Sequence, residues 1–359
     1  SFTQFTKEKT GRVAFMGGSI TENPGWRNKV TQYLTERFPE TKFEFIDAGI
    51  ASTGSTPGAF RLATEVLSKG RIDLFFEEAA VNDRTNGFQN QAQVRGMEGI
   101  VRHMRVSNPL VDIVMMHCVD PEKIAEYTAG KIPNEIINHE LVASQYNANT
   151  INWSKEVTAR IAAAEFSWKE DFRDLHPSKF GQEVYARSLI SYLNNAYGNI
   201  SSEAFPTNHL LPTPIDKFSY FDGNYADIKN ATILSKWSID EKWVPKDGVG
   251  GRKQYMNRPA LVATEAGAEM EFNFTGKAIG ICIASGPDAG VIEYSIDGKP
   301  FKKKDLYSQW SGVLHLPWYI VLEEELKNKQ HTIRIRMSAD KNEKSKGNAC
   351  RILHFLVNG

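Results

Sequence analysis

Apolar and polar residues keep two different rhythms along this chain, and the rhythm changes near Phe205. Before that point, short apolar runs alternate with stretches of helical spacing. The runs are 13–16, 43–46, 74–81 and 111–118, with a weaker one at 150–151. They read as strands. Between them, Phe60, Leu62, Ala63, Val66 and Leu67 fall mostly on one side of a helix over 58–67. Val94, Met97, Ile100, Val101 and Met104 recur every three or four residues over 91–104. A last helical pattern covers 182–197. Strand–helix alternation of this kind predicts an α/β domain, a parallel sheet covered by helices on both faces.

Beyond a Pro-rich connection (Pro206, Pro212, Pro214), the period drops to two. Alternating runs occupy 268–274, 279–284, 291–296, 331–337 and 352–357. Turn signals such as Gly286-Pro287-Asp288 and Asp297-Gly298 separate them. Many short strands with regular turns predict an all-β sandwich of jelly-roll type. The expected domains are therefore 1–205 and 206–359. A length of 359 residues agrees with two domains.

Composition narrows the partners. Apolar content is 41% and charged content 24%, both ordinary for a globular protein. Forty-three basic residues balance forty-three acidic ones, which points away from nucleic acid and from anionic membranes. No apolar run approaches the roughly 20 residues of a membrane helix. Cys118, Cys282 and Cys350 lie far apart and in apolar surroundings, so buried thiols are expected. No pair has metal-ligand spacing, and neither metal nor cofactor is expected. The sequence does not reveal an oligomeric state.

Candidate chemistry sits at the ends of the predicted strands. Gly17-Gly18-Ser19 follows the first strand and precedes a helical stretch. A serine at the carboxyl end of a parallel strand lies where open α/β sheets bind ligands. A serine nucleophile needs a base, a group that orients the base, and donors for an oxyanion. His176 supplies an imidazole, and Asp174 lies two residues before it. Asn82, after the third strand, offers a side-chain amide, and Asp83 beside it can brace the loop. Each residue has a plainer use: a helix cap for Ser19, a turn for Asn82, a loop backbone bond for His176. Glu77 and Glu78 fall in an apolar run and need partners if buried; Arg61 and Arg84 are candidates. Trp26 reads as helix core, with a sugar-lining role as the alternative. His117 and His139 read as structural.

The order of these blocks resembles the SGNH hydrolases, or GDSL-type esterases, in the two-domain form with a C-terminal β-sandwich. The blocks are Gly17-Gly18-Ser19-Ile20-Thr21, Ala80-Val81-Asn82-Asp83 and Asp174-Leu175-His176-Pro177. The resemblance covers about the first two hundred residues. It implies a three-layer flavodoxin-like fold, a catalytic set of Ser19, Asp174 and His176, and an oxyanion hole formed by Ser19, Ser52 and Asn82. Two departures stand out. Ser52 occupies the family's oxyanion glycine position, with Gly54 as the alternative. The carboxylate precedes the histidine by two residues instead of three, with Asp171 as the alternative to Asp174.

Polar residues flank the blocks at 21–23 and 83–87, which suits a short acyl group on a polar alcohol. The resemblance thus implies a carbohydrate O-acetyl esterase acting on an acetylated oligo- or polysaccharide. An exported, periplasmic or secreted bacterial location is expected, with any signal peptide absent from this chain. The alternatives are a lipase, thioesterase or arylesterase on the same site, or a glycan-binding protein with little turnover.

Overall fold

The computed structural model describes residues 1–201 and 203–359. They form two compact units, Ser1–Phe221 and Asp222–Gly359. The Pro-rich connection belongs to the first unit. The Arg102 guanidinium donates to the Pro212 carbonyl, and the Glu98 carboxylate accepts from the amides of Ile215 and Asp216.

Five parallel strands run through the first unit: β1 (Thr10–Gly17), β2 (Lys42–Gly49), β3 (Leu74–Glu77), β4 (Asp112–Met116) and β5 (Asn149–Ile151). Their order is β2-β1-β3-β4-β5. That is the flavodoxin-like order, and its switch point lies between β1 and β3. The helices are α1 (Phe2–Thr6), α2 (Ser19–Glu22), α3 (Trp26–Arg37), α4 (Ser55–Glu65), α5 (Ala80–Thr85), α6 (Asn90–Ser107), α7 (Pro121–Thr128), α8 (Asn134–Tyr146), α9 (Trp153–Ala162) and α10 (Lys179–Gly198).

Alternate strand residues feed opposite layers. Val13 and Phe15, Leu74 and Phe76, and Val114 and Met116 share a core with Trp26, Trp153, Tyr185 and Leu189 of α3, α9 and α10. Trp26 is fully buried against Phe15 and Trp153, so it is a core residue and lines no sugar site. On the other layer α4 packs against α6, and α6 against α8.

Register brings the site loops together. Gly17 pairs with Gly49, and Met16 pairs with Glu77. The chain therefore leaves β1, β2 and β3 at the same edge. The third apolar run proves shorter as a strand than its pattern. The Glu78 amide makes the last ladder bond, to the Met16 carbonyl, and α5 starts at Ala80.

The second unit pairs two antiparallel sheets. Its strands are β6 (Gly223–Ala226), β7 (Thr232–Ser235), β8 (Ser238–Trp243), β9 (Arg258–Ala263), β10 (Glu269–Gly276), β11 (Ala278–Ser285), β12 (Val291–Ile296), β13 (Lys302–Asp305), β14 (Leu316–Glu323), β15 (Lys329–Met337) and β16 (Cys350–Asn358). One sheet has the order β13-β12-β15-β10-β7. The other runs β14-β11-β16-β9-β8, with β6 also paired to β16. Phe272 of one sheet stacks on Phe355 of the other at 3.9 Å, within an apolar core rich in Ile and Phe. All three cysteines are buried free thiols.

Candidate active site

Ser19 opens α2, directly after the end of β1. Other groups approach the backbone closely at Gly17 and Gly18. A Cβ on Gly18 would meet Asn82 Oδ1 at 1.9 Å, and one on Gly17 would meet Thr21 Oγ1 at 2.4 Å. The half-buried Ser19 hydroxyl lies 2.7 Å from His176 Nε2. His176 is exposed, on the loop that enters α10. Ser178 caps that helix, accepting from the Gly181 amide, and its own hydroxyl and amide bond the carbonyls of Asp171 and Phe172. The loop is thus pinned immediately after the imidazole.

Asn82 stands in the first turn of α5, half-buried, with its Oδ1 against the Gly18 Cα. Among the described residues its side-chain amide has no partner, so it is not spent on a local turn bond. Asp83 is fully buried and braces the loops, as its neighbourhood in sequence allowed. It accepts from the Ser55 amide (2.8 Å) and hydroxyl (2.7 Å) and lies 2.9 Å from His139 Nε2.

The loop after β2 carries Ser52, at φ +67. That is a left-handed conformation, which glycine adopts without strain and serine does not. The loop is held from several sides. The Ile50 amide and the Thr53 hydroxyl donate to the Gly17 carbonyl, the Ala51 amide to Glu22, and Asn86 Nδ2 to the Ser52 carbonyl. Fully buried Arg61 donates to the carbonyls of Ala48 (2.6 Å) and Gly17 (3.1 Å) and to Glu65. Gly54 has φ −106, and a Cβ there would meet Asp83 Oδ1 at 2.2 Å. Close approach to Asp83 requires Gly54, whereas the left-handed turn falls on Ser52.

One expected contact is missing. Among the described residues no hydrogen bond joins Asp174 to His176. Arg173, at φ +74, turns the chain so that the Asp174 carboxylate accepts from the Leu175 amide at 2.5 Å. Asp171 is no substitute, because its carboxylate accepts from the Ser167 amide. Among the described residues Ser19 is the one hydrogen-bond partner of the His176 ring.

The Arg61 charge opposes a rise in the Glu77 pKa without overcoming burial. Arg61 is used as described above, and Arg84 pairs with Glu122, Glu126 and Glu135. Both glutamates are buried at the sheet edge. Burial pushes the Glu77 carboxyl well above the usual carboxylate range, and the Glu78 charge beside it adds to the rise. Burial raises Glu78 to about 7, opposed by the facing amides of Gly18 and Val81 and by Lys123. The buried Asp83–Ser55–His139 set and the Arg61 wiring carry no linear motif, since their partners come from different elements.

Residues 249–355 match the family model described as carbohydrate esterase 2 N-terminal. In this chain the matched module lies in the C-terminal unit. Two crystal structures of a two-domain esterase active on acetylated mannans are similar over nearly the whole chain. One, co-crystallized with mannopentaose, matches at 21% identity and TM-score 0.75; the other matches at 20% and 0.77. Each comparison covers 98% of this chain and 91% of the solved one. Likeness at this identity establishes a shared fold. Comparison with curated proteins gives no match.

The chain thus shares the two-domain fold of these solved esterases, and its first unit brings Ser19 Oγ within 2.7 Å of His176 Nε2.

Proposed function

We propose that the chain is a carbohydrate O-acetyl esterase in which Ser19 is the nucleophile and His176 the general base. The 2.7 Å approach of Ser19 Oγ to His176 Nε2 carries this reading. His176 takes the Ser19 proton as Oγ attacks the ester carbonyl. The amides of Ser19 and Ser52 and the Asn82 side chain receive the oxyanion. His176 returns the proton to the leaving sugar hydroxyl. Water, deprotonated by the same imidazole, then hydrolyses the acetyl-serine and releases acetate. Asp174 has no part in this scheme, because its carboxylate is turned to Leu175.

A polymeric sugar ester as substrate draws support from the module match and from the acetylated-mannan esterases of the same fold. The rim agrees with it: Asn23 and Thr85 are exposed and Arg84 and Asn86 half-exposed, a polar setting for a hydroxylated leaving group. A polysaccharide substrate places the enzyme outside the cytoplasm. Cell fractionation that found it in the cytosol would contradict that placement. Acetate release from acetylated mannan, followed by NMR against a series of esters of rising acyl length, tests the function. Acetyl removal with rejection of long chains is expected. Preference for long acyl chains would instead make it a lipase.

A further inference from the structure

Beneath the nucleophile lies a carboxyl group that the scheme above leaves unused. Glu78 is the residue after β3, and it is 1% exposed. Neither of its carboxyl oxygens has a hydrogen-bond partner among the described residues. Burying such a group unpaired is costly, so a role is required to explain it. Two backbone amides face the carboxyl without closing to hydrogen-bond geometry. They are Gly18, which precedes Ser19, and Val81, which precedes Asn82. The carboxyl therefore stands where the two site loops meet. Backbone already ties them at this point, since the Glu78 amide donates to the Met16 carbonyl and a Cβ on Gly17 would meet the Glu78 carbonyl at 2.9 Å.

We propose that Glu78 is a positioning residue, whose carboxylate draws in the amides of Gly18 and Val81 and so fixes Ser19 relative to Asn82. This rests on the hydrolytic reading above. Only the ionised carboxylate offers an acceptor oxygen to both amides at full strength. The protonated acid holds one well and presents an O–H toward the other. The groups that act on Glu78 are Lys123 of α7, His139 of α8, Cys118 after β4, Tyr185 of α10 and Glu77 on its own strand. Burial keeps the carboxyl at about 7, so the clamp engages as the pH rises through neutrality.

Stability should move in the opposite direction from activity. A carboxyl whose folded pKa is raised binds its proton more tightly when folded. Its contribution to stability is complete below the unfolded carboxylate range and is lost as pH rises through about 7. Glu78→Gln is uncharged at every pH and cannot accept from both amides. The full-length variant should lose kcat by roughly 10- to 100-fold, the cost of slight misplacement, with KM unchanged. Its melting temperature relative to the parent should rise between pH 5 and pH 8. In the parent, the acid limb of log kcat/KM should be steeper than in the variant, because the variant lacks the Glu78 carboxyl that titrates there. Glu78→Asp should recover part of the kcat. Loss of kcat together with a melting temperature below the parent at pH 8 would make Glu78 merely structural and overturn the proposal. So would an unchanged kcat and slope. Ser19→Ala, measured alongside, separates the two ideas: activity surviving in that variant removes the hydrolytic reading itself.

Discussion

Ser19 Oγ and His176 Nε2 lie 2.7 Å apart although 157 residues separate them in the chain. The sheet edge supplies one and the entry to α10 the other. Among the described residues the His176 ring has no carboxylate partner to complete a triad. A histidine that depends on a bonded aspartate loses about 10⁴-fold in turnover when that aspartate is neutralised. Here Asp174→Asn should change kcat by less than about threefold, whereas His176→Ala should remove about 10²- to 10⁴-fold. Steady-state kinetics on an acetyl ester measures both. A large loss in Asp174→Asn would show that the carboxylate turns toward the ring during turnover.

Gly18 leaves room for Asn82. A methyl group at position 18 would stand 1.9 Å from Asn82 Oδ1, the movable end of that side chain. Gly18→Ala should therefore displace the Asn82 amide while the fold stays intact. Loss of one oxyanion donor costs on the order of 10²-fold in kcat. The expected result is that loss with a nearly unchanged melting temperature. Retained kcat would remove Asn82 from the oxyanion hole.

Ser52 holds a left-handed backbone at φ +67. That geometry costs a non-glycine residue about 1 kcal/mol. Ser52→Gly should raise stability by up to that amount and keep activity, because the proposed donor is a backbone amide. Urea unfolding and acetyl-ester kinetics on the same variant check both halves. Abolished activity in Ser52→Gly would assign the role to the side chain.

Arg61 is the buried tie between the ends of β1 and β2. It is fully buried, with its donors on the carbonyls of Ala48 and Gly17. Arg61→Met takes its donor from the Ala48 carbonyl and one of three donors from the Gly17 carbonyl, and a buried acceptor left unpaired costs roughly 1–3 kcal/mol. Chemical denaturation should show a loss of that order. Acetyl-ester turnover should fall as well, because the Ser52 loop hangs on the same contacts. A variant as stable as the parent would contradict this wiring.

The second unit carries its own acid sensitivity. His354 stacks on Tyr225 at 4.1 Å, and burial, helped by the Arg258 charge, lowers its pKa to about 4. A histidine lowered in the fold binds protons more tightly when unfolded. Stability is therefore lost as pH falls from the ordinary histidine range of about 6.5 toward 4. The drop in melting temperature between pH 7 and pH 4.5 should be smaller in His354→Gln than in the parent. Equal drops in the two proteins would exclude His354 as the cause.

Much of this arrangement was legible in the sequence because apolar period and turn residues are local. The four main strands of the first unit, four of its helices and five strands of the sandwich follow from pattern alone. Helices α7, α8 and α9 escaped it. Buried polar groups such as Lys123, Glu135, His139 and Ser154 interrupt their apolar stripes. Strand β13 reads Lys-Lys-Lys-Asp and is fully exposed at a sheet edge, where lysines deter further pairing and no alternation arises. Ser19, Asn82 and His176 stood out as candidates through their joint order. The bond from the Leu175 amide to the Asp174 carboxylate was not legible there, because it depends on the left-handed turn at Arg173. Glu78 could be flagged as a buried charge, but its position between two loop amides required the register of β1 on β3.

The most direct test is to label the nucleophile covalently. The full-length protein would be treated with a fluorophosphonate, digested, and its peptides weighed, beside Ser19→Ala assayed for acetate release. One adduct on Ser19 and no turnover in the variant is the result expected of a Ser19 nucleophile. Label on another residue, with acetate still released by Ser19→Ala, would contradict it.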